Sequence, residues 1–188
     1  MEIVSEAISF AVKAHDGMRR RKSDAPYVLH PMEVAVIVGT MTDNQNVIAA
    51  GVLHDVVEDA GVSIDEIGEK FGPRIKELVA SETENKREDL PPEETWRIRK
   101  TESLKVLEST DDIEVLMVWL GDKLSNIRAV YHSWKEEGEA VWQKFHQSDV
   151  KLQAWYYRSI MKYTERLSHT FAWTEYKTLV EEIFGMEE

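Results

Sequence analysis

The segment LHDVVED sets His54 beside Asp55 and returns two more carboxylates, Glu58 and Asp59, one helical turn later. On a helix, positions four apart share a face, which pairs His54 with Glu58 and Asp55 with Asp59. Ala49, Ala50, Val52, Leu53, Val56 and Val57 surround the group and mark the helix as largely buried. Charged side chains are seldom buried unless paired or bound to a metal, so a cation is expected beside them. Two further groups suit that cation. His30 directly precedes a helix-starting proline, Pro31, and Asp122 ends the apolar run of residues 115–120 in VWLGDKLSN, with Asn126 one turn beyond. His30, His54, Asp55 and Asp122 together offer nitrogen and oxygen donors, a mixed set that suits Mn²⁺, Fe²⁺ or a similar ion better than Ca²⁺ or a structural zinc, with Mn²⁺ the first choice. An ion of higher coordination number keeps places for water and a substrate phosphate oxygen.

Glu58 and Asp59 then stand where they can orient or deprotonate the hydrolytic water and protonate the leaving oxygen. The run Arg19-Arg20-Arg21-Lys22 supplies a local anion site. Arginine grips phosphate oxygens bidentately and lysine acts as a compact point charge, so a metal beside a basic loop implies a substrate with several phosphates. Each feature alone has a plainer reading. A single histidine on a buried helix is more often a hydrogen-bonded core residue, a basic quartet more often a solvated loop, and Asp122 could merely cap a helix or pair with Lys123; only the combination favours a metal site. His15, His132, His146 and His169 keep the plain reading. Gln153, Tyr156, Tyr157 and Arg158 could stack on or hydrogen-bond to a base, but an aromatic-rich stretch at helical spacing is more often core.

Composition limits what such a site can serve. The chain has 188 residues, 43% of them hydrophobic, enough for one well-buried core and one domain by default. A formal net charge of −12 makes it a poor binder of nucleic-acid polymers, which are held by basic surface. There are no cysteines, so disulfides and thiolate metal sites are excluded. The N-terminus reads as an amphipathic helix rather than a signal peptide, and no apolar run approaches membrane-spanning length; a soluble cytoplasmic protein is expected, its oligomeric state left open.

Helical periodicity runs through almost the whole chain. The spacing predicts helices over about 2–16, 31–41 and 44–60, a short one opened by the capping pair Ser63 and Glu66, and another opened by Gly72-Pro73. Further helices are expected at about 95–109, 112–131, 138–147, 150–168 and 172–184, with that over 115–120 central and buried, though so short an apolar run could also be a strand. Residues 84–95, polar and proline-bearing, read as an exposed loop and the most mobile segment. The fold class is therefore all-α, a compact bundle of about eight to ten helices.

Taken together these segments resemble the HD superfamily of metal-dependent phosphohydrolases, and within it the hydrolase domain of RelA/SpoT-type alarmone enzymes and their small stand-alone relatives. The resemblance lies in the basic stretch from His15 to Lys22, PYVLHP at 26–31, AAGVLHDVVED at 49–59, FGPRIKELV at 71–79 and LGDKLSNIR at 120–128, and covers about residues 5–130. It implies Mn²⁺ at His30, His54, Asp55 and Asp122, service to the water by Glu58 and Asp59, and a nucleotide and phosphate site at Arg21, Lys22 and Asn126. The reaction implied is removal of the 3′-pyrophosphate from guanosine tetra- or pentaphosphate. The chain departs from the family pattern after LV at 78–79, where it reads SETENKREDLPPEETWRIRK, and beyond residue 130. No synthetase domain is seen, so no second activity is expected. A permissive metal-dependent nucleotide pyrophosphatase or phosphatase, and a nucleotide-binding regulator without catalysis, are the competing functions.

Overall fold

The computed structural model describes residues 2–20, 24–87 and 89–186. Among these the chain forms α1 (Ile3–Ala14), α2 (Leu29–Gly39), α3 (Gln45–Leu53), the single turn α4 (Val56–Asp59), α5 (Ile64–Phe71), α6 (Pro73–Glu82), α7 (Pro92–Ser109), α8 (Ile113–Glu137), α9 (Val150–Tyr163) and α10 (Phe171–Phe184), with 3₁₀ turns at Gly138–Lys144 and Glu165–Leu167. No strand occurs among the described residues; one isolated antiparallel bridge, Arg19 with Pro26, closes the loop between α1 and α2. The class is all-α, as the periodicity requires.

The caps follow the local chemistry. The Asn44 side chain accepts the Asn46 N–H, and Ser63 accepts the Glu66 N–H, so each supplies an acceptor to an otherwise unpaired N–H of a first helical turn. Gly72 takes φ 90°, a backbone region that suits glycine, and hands the chain to Pro73 at the start of α6. The apolar run at 115–120 lies inside α8, a 25-residue helix packed against α2, α3, α6 and α10. That helix is the axis of the molecule: Val115, Leu116, Val118, Trp119, Leu120, Leu124 and Ile127 are all buried.

Three findings differ from the sequence-based expectations. The helix expected over 44–60 is split, with His54 and Asp55 in a turn between α3 and α4. The Gly51 carbonyl that a continuous helix assigns to the Asp55 N–H accepts the His54 Nδ1–H at 2.8 Å, a side-chain competitor for the backbone bond. Pro31 lies in the first turn of α2, but the helix begins at Leu29, so His30 sits within that turn rather than before it. The loop expected to be exposed and mobile is partly packed: the Glu84 side chain is only 9% exposed and is held by Arg99, Lys100 and Ser103 of α7. Its charge is compensated there, so a polar sequence need not face water.

The approach of α2, α3 and α8 depends on two glycines. A Cβ at Gly121 of α8 would lie 2.8 Å from Val38 Cγ2 and 3.3 Å from Val34 Cγ1, and one at Gly51 of α3 would lie 3.3 Å from the same Val38 methyl. Valine methyls have one preferred rotamer in a helix and cannot step aside cheaply. Gly121→Ala gains helix propensity of roughly 1 kcal/mol but must displace α2. We expect a net loss of about 1–2 kcal/mol in urea unfolding from overpacking; equal or greater stability would show that the helices are not in contact here.

Candidate metal centre

Four side chains from three stretches of chain converge in the interior. His30 enters from the first turn of α2, His54 and Asp55 from the turn after α3, and Asp122 from the middle of α8. His30 Nε2 lies 2.9 Å from Asp122 Oδ1 and 3.4 Å from Asp55 Oδ2; His54 Nε2 lies 3.1 Å from Asp55 Oδ2 and 3.4 Å from Asp122 Oδ1. Donor atoms of His30, His54 and Asp122 all fall within 4.8 Å of one another. His30, His54 and Asp122 are each under 5% exposed.

The hydrogen bonds on the far sides of the rings decide what faces the centre. His54 Nδ1 is 2.8 Å from the Gly51 carbonyl, which can only accept, so Nδ1 carries the proton and Nε2 a lone pair. Ser125 donates to Glu33 Oε2 at 2.7 Å and therefore accepts from His30 Nδ1 at 2.8 Å, leaving His30 Nε2 likewise bare in the neutral ring. Two lone pairs then face two carboxylate oxygens, and His54 Nε2 has no hydrogen-bond partner. Such a group is repulsive unless a proton or a cation sits among its members. Burial alone would lower the His54 pKa, yet Asp55 and Asp122 raise it well above the usual value. Burial likewise acts to raise both carboxyls, while the imidazoles, with Lys123 at Asp122, hold them well below the usual range. Separations near 3 Å are those of neighbouring donors around an ion with bonds of about 2.1 Å. The donor set fits one divalent cation.

Glu58 and Asp59 flank this centre on α4. Tyr27, from the loop before α2, places its hydroxyl 2.7 Å from Asp55 Oδ2 and 2.6 Å from Asp59 Oδ2, and its ring lies tilted against the buried ring of His15, the centroids 5.1 Å apart. The i,i+4 pairing of Asp55 with Asp59 is thus made through Tyr27. Burial and the charges of Asp55 and Glu84 raise the Glu58 carboxyl above its usual value, with Lys86 opposing. Lys86 Nζ donates to the Glu58 carbonyl at 2.9 Å and to Asp59 Oδ1. Behind Asp122, Lys123 pairs with its Oδ2 and donates to Glu82 Oε1 at 2.9 Å. Asn126 donates to Asp122 Oδ1 at 2.6 Å and accepts from Arg20 at 3.1 Å.

Arg20, Tyr27, Glu58, Asp59, Lys123 and Asn126 are shared by a polar cavity of about 170 Å³ at the four side chains and a cleft of about 1160 Å³ that continues outward. Trp96, Phe145, Gln153, Tyr156 and Tyr157 line the far part of that cleft, so the aromatic stretch of α9 is both core and cleft wall. Arg158 turns away, donating to the Phe184 and Gly185 carbonyls. Arg21 and Lys22, chosen from the basic run, lie outside the described residues; Arg20 of the same run is the one seen at the site. Tyr27, Glu82, Lys86 and Lys100 escaped the sequence reading, whereas the pairing of Asp122 with Lys123, weighed there as the plain alternative, is present beside the four side chains. Tyr27 stood within PYVLHP, but nothing in spacing tells a packed lysine from a solvated one.

An all-helical scaffold that gathers two imidazoles and two carboxylates at the floor of a cleft defines a metal-site protein. The HD domain family matches residues 7–148, and the chain belongs to it. Among curated relatives it is 34% identical over 139 residues to "Putative GTP diphosphokinase RSH1, chloroplastic" of Arabidopsis thaliana, covering 70% of this chain and 16% of that protein. It is 35% identical over 128 residues to "GTP pyrophosphokinase rsh" of Brucella ovis, covering 68% and 17%. The chain thus spans about a sixth of the length of these relatives. The solved structure of lmo0812 from Listeria monocytogenes matches with TM-score 0.73 and 32% identity over 84% of this chain and 99% of the other. A metazoan ortholog of SpoT shares the fold at TM-score 0.77 and 21% identity, over 99% and 98%. No described helix is long and apolar enough to cross a membrane.

Glu84 offers a test of the packed loop. Burial would raise its carboxyl, but Lys100 and Ser103 hold it at about 2 against a usual 4.5. A depressed folded-state pKa contributes stability that is present above about pH 4.5 and lost as pH falls toward 2. Glu84→Gln should cost about 2–3 kcal/mol at neutral pH. The gap to the unsubstituted protein should close in acid. A constant gap across the titration in urea melts would show that Glu84 owes nothing to its ion pairs.

Proposed function

We propose that the chain is a divalent-metal phosphohydrolase of phosphorylated nucleotides, with Mn²⁺ held by His30, His54, Asp55 and Asp122 and guanosine 3′,5′-bis(diphosphate) as its substrate, losing the 3′-pyrophosphate. The observation that carries this reading is the pair of bare, buried imidazole nitrogens facing two carboxylates on the floor of a cleft large enough for a nucleotide. Support also comes from relatives named for guanine nucleotide diphosphokinase activity and from the metazoan SpoT ortholog, whose structure is described as that of a protein that hydrolyses ppGpp.

The bound cation would supply a Lewis acid for a phosphoryl oxygen and acidify water. The chain's own residues supply the rest. Glu58, whose carboxyl is raised by burial and by Asp55 and so made a stronger base, takes the proton of the attacking water. Asp59, tied to Tyr27 and Lys86, stands beside it to orient that water, and the proton taken up by Glu58 is the one passed on to the leaving oxygen. Arg20 and Asn126, already hydrogen-bonded at the cavity mouth, orient the phosphates, together with Arg21 and Lys22 of the same loop.

Asp55→Ala should abolish both Mn²⁺ binding and turnover. Glu58→Gln should bind Mn²⁺ normally yet lose about 10²-fold or more in kcat; a near-normal rate would remove Glu58 from the reaction. A panel of ppGpp, GTP, dGTP and inorganic pyrophosphate, assayed with Mn²⁺, separates the specific reading from a permissive one. Faster cleavage of GTP or pyrophosphate than of ppGpp would defeat the substrate assignment, and tight binding without release of phosphate or pyrophosphate would mean a regulator.

A further inference from the structure

The metal reading leaves Glu82 unexplained. It closes α6, is 6% exposed, lines the polar cavity, and its Oε2 has no hydrogen-bond partner. It lies where the chain departs from the family pattern seen in the sequence. Its Oε1 accepts from Lys123 Nζ at 2.9 Å, and the same ammonium contacts Asp122 Oδ2. The register that brings α6 to α8 is fixed one residue earlier, where Trp119 Nε1 donates to the Ser81 carbonyl at 3.2 Å; the Lys123 ammonium lies 4.7 Å from the Trp119 ring centroid.

We infer that Glu82 is a positioning residue for the metal centre, acting through Lys123 on Asp122. Asp122 divides its two oxygens: Oδ1 faces His30 and His54, while Oδ2 is occupied by the ammonium. An ammonium held there keeps the carboxylate from turning, but its positive charge also opposes a divalent cation on the other oxygen. Glu82 cancels that charge and anchors Nζ away from the centre. With Glu82 ionised, the pair Lys123 and Glu82 is neutral, and Asp55 and Asp122 present two full negative charges to the ion. Without it, Lys123 has lost one carboxylate partner, leans more heavily on Asp122 and competes with the metal.

This inference rests on the proposed four-ligand centre, and metal affinity tests it apart from turnover. Mn²⁺ binding is measured by calorimetry on the folded protein at about pH 8, above the value of about 7 to which burial raises the Glu82 carboxyl. Glu82→Gln should weaken Mn²⁺ binding by about tenfold, the scale found when an outer partner of a metal ligand is removed. Lys123→Met and the double variant Glu82→Gln/Lys123→Met should bind Mn²⁺ equally, within about twofold, because without the ammonium Glu82 has nothing to cancel. Glu82→Gln binding as tightly as the unsubstituted protein overturns the inference. So does a loss that persists in the Lys123→Met background, a comparison that stands even if Glu82→Gln alone fails to fold. Unsubstituted protein that binds no Mn²⁺ would instead overturn the proposed metal centre.

Discussion

Two imidazole nitrogens and two carboxylate oxygens share a few ångströms of the interior, and the rest of the structure is arranged around their meeting. Each ring is turned by an acceptor on its outer side, Gly51 for His54 and Ser125 for His30, so neither is free to swing its N–H inward. Ser125 can act this way only because Glu33 takes its own proton. The arrangement reaches across α2, α3 and α8, and glycines at 51 and 121 let those helices approach closely enough for it. A fold that buries four such groups without a cation would have to protonate the rings at a substantial cost of desolvation.

The polar shell is built from the same principle. In an acidic chain, the lysines of the cleft each meet a carboxylate: Lys86 meets Asp59, Lys100 meets Glu84, and Lys123 meets Asp122 and Glu82. Burying an ammonium or a carboxylate alone is expensive, and pairing removes most of that expense. It also holds long, flexible side chains in one place. Arg20 differs in donating to a neutral amide, that of Asn126, which leaves its positive charge less compensated by that contact and better able to act on an anionic ligand.

What the sequence discloses depends on whether a residue announces itself by its neighbours in the chain or only by its neighbours in space. His54 and Asp55 were legible because they interrupt an apolar stretch, and Asp122 because it follows one; a costly residue in an apolar context is its own signal. The helices were legible for the same reason, since period and caps are local. The break in the chain between α3 and α4 was not, because it depends on a side chain taking a backbone acceptor, which no periodicity records. Of residues 84–95, Asn85 and 89–94 are exposed as expected, but Glu84 misled for the converse reason. Their composition is that of a solvated loop, yet Glu84 is buried against cations of α7 more than a dozen residues away, and spacing along the chain cannot show that meeting.

The division of the chain between site and wall follows from these constraints. The floor of four converging donors draws on α2, α8 and the turn after α3, which pack as one core. The outer cleft is finished by α7, α9 and the 3₁₀ turn Gly138–Lys144, which contribute Trp96, Tyr156 and Val141 to its wall. These finishing elements include the stretches where the sequence departs from the family pattern. Chemistry fixed at the floor and recognition varied at the wall is what such a separation allows, because the floor tolerates displacement of only a fraction of an ångström, whereas a wall of aromatic and aliphatic side chains can be repacked with its volume conserved.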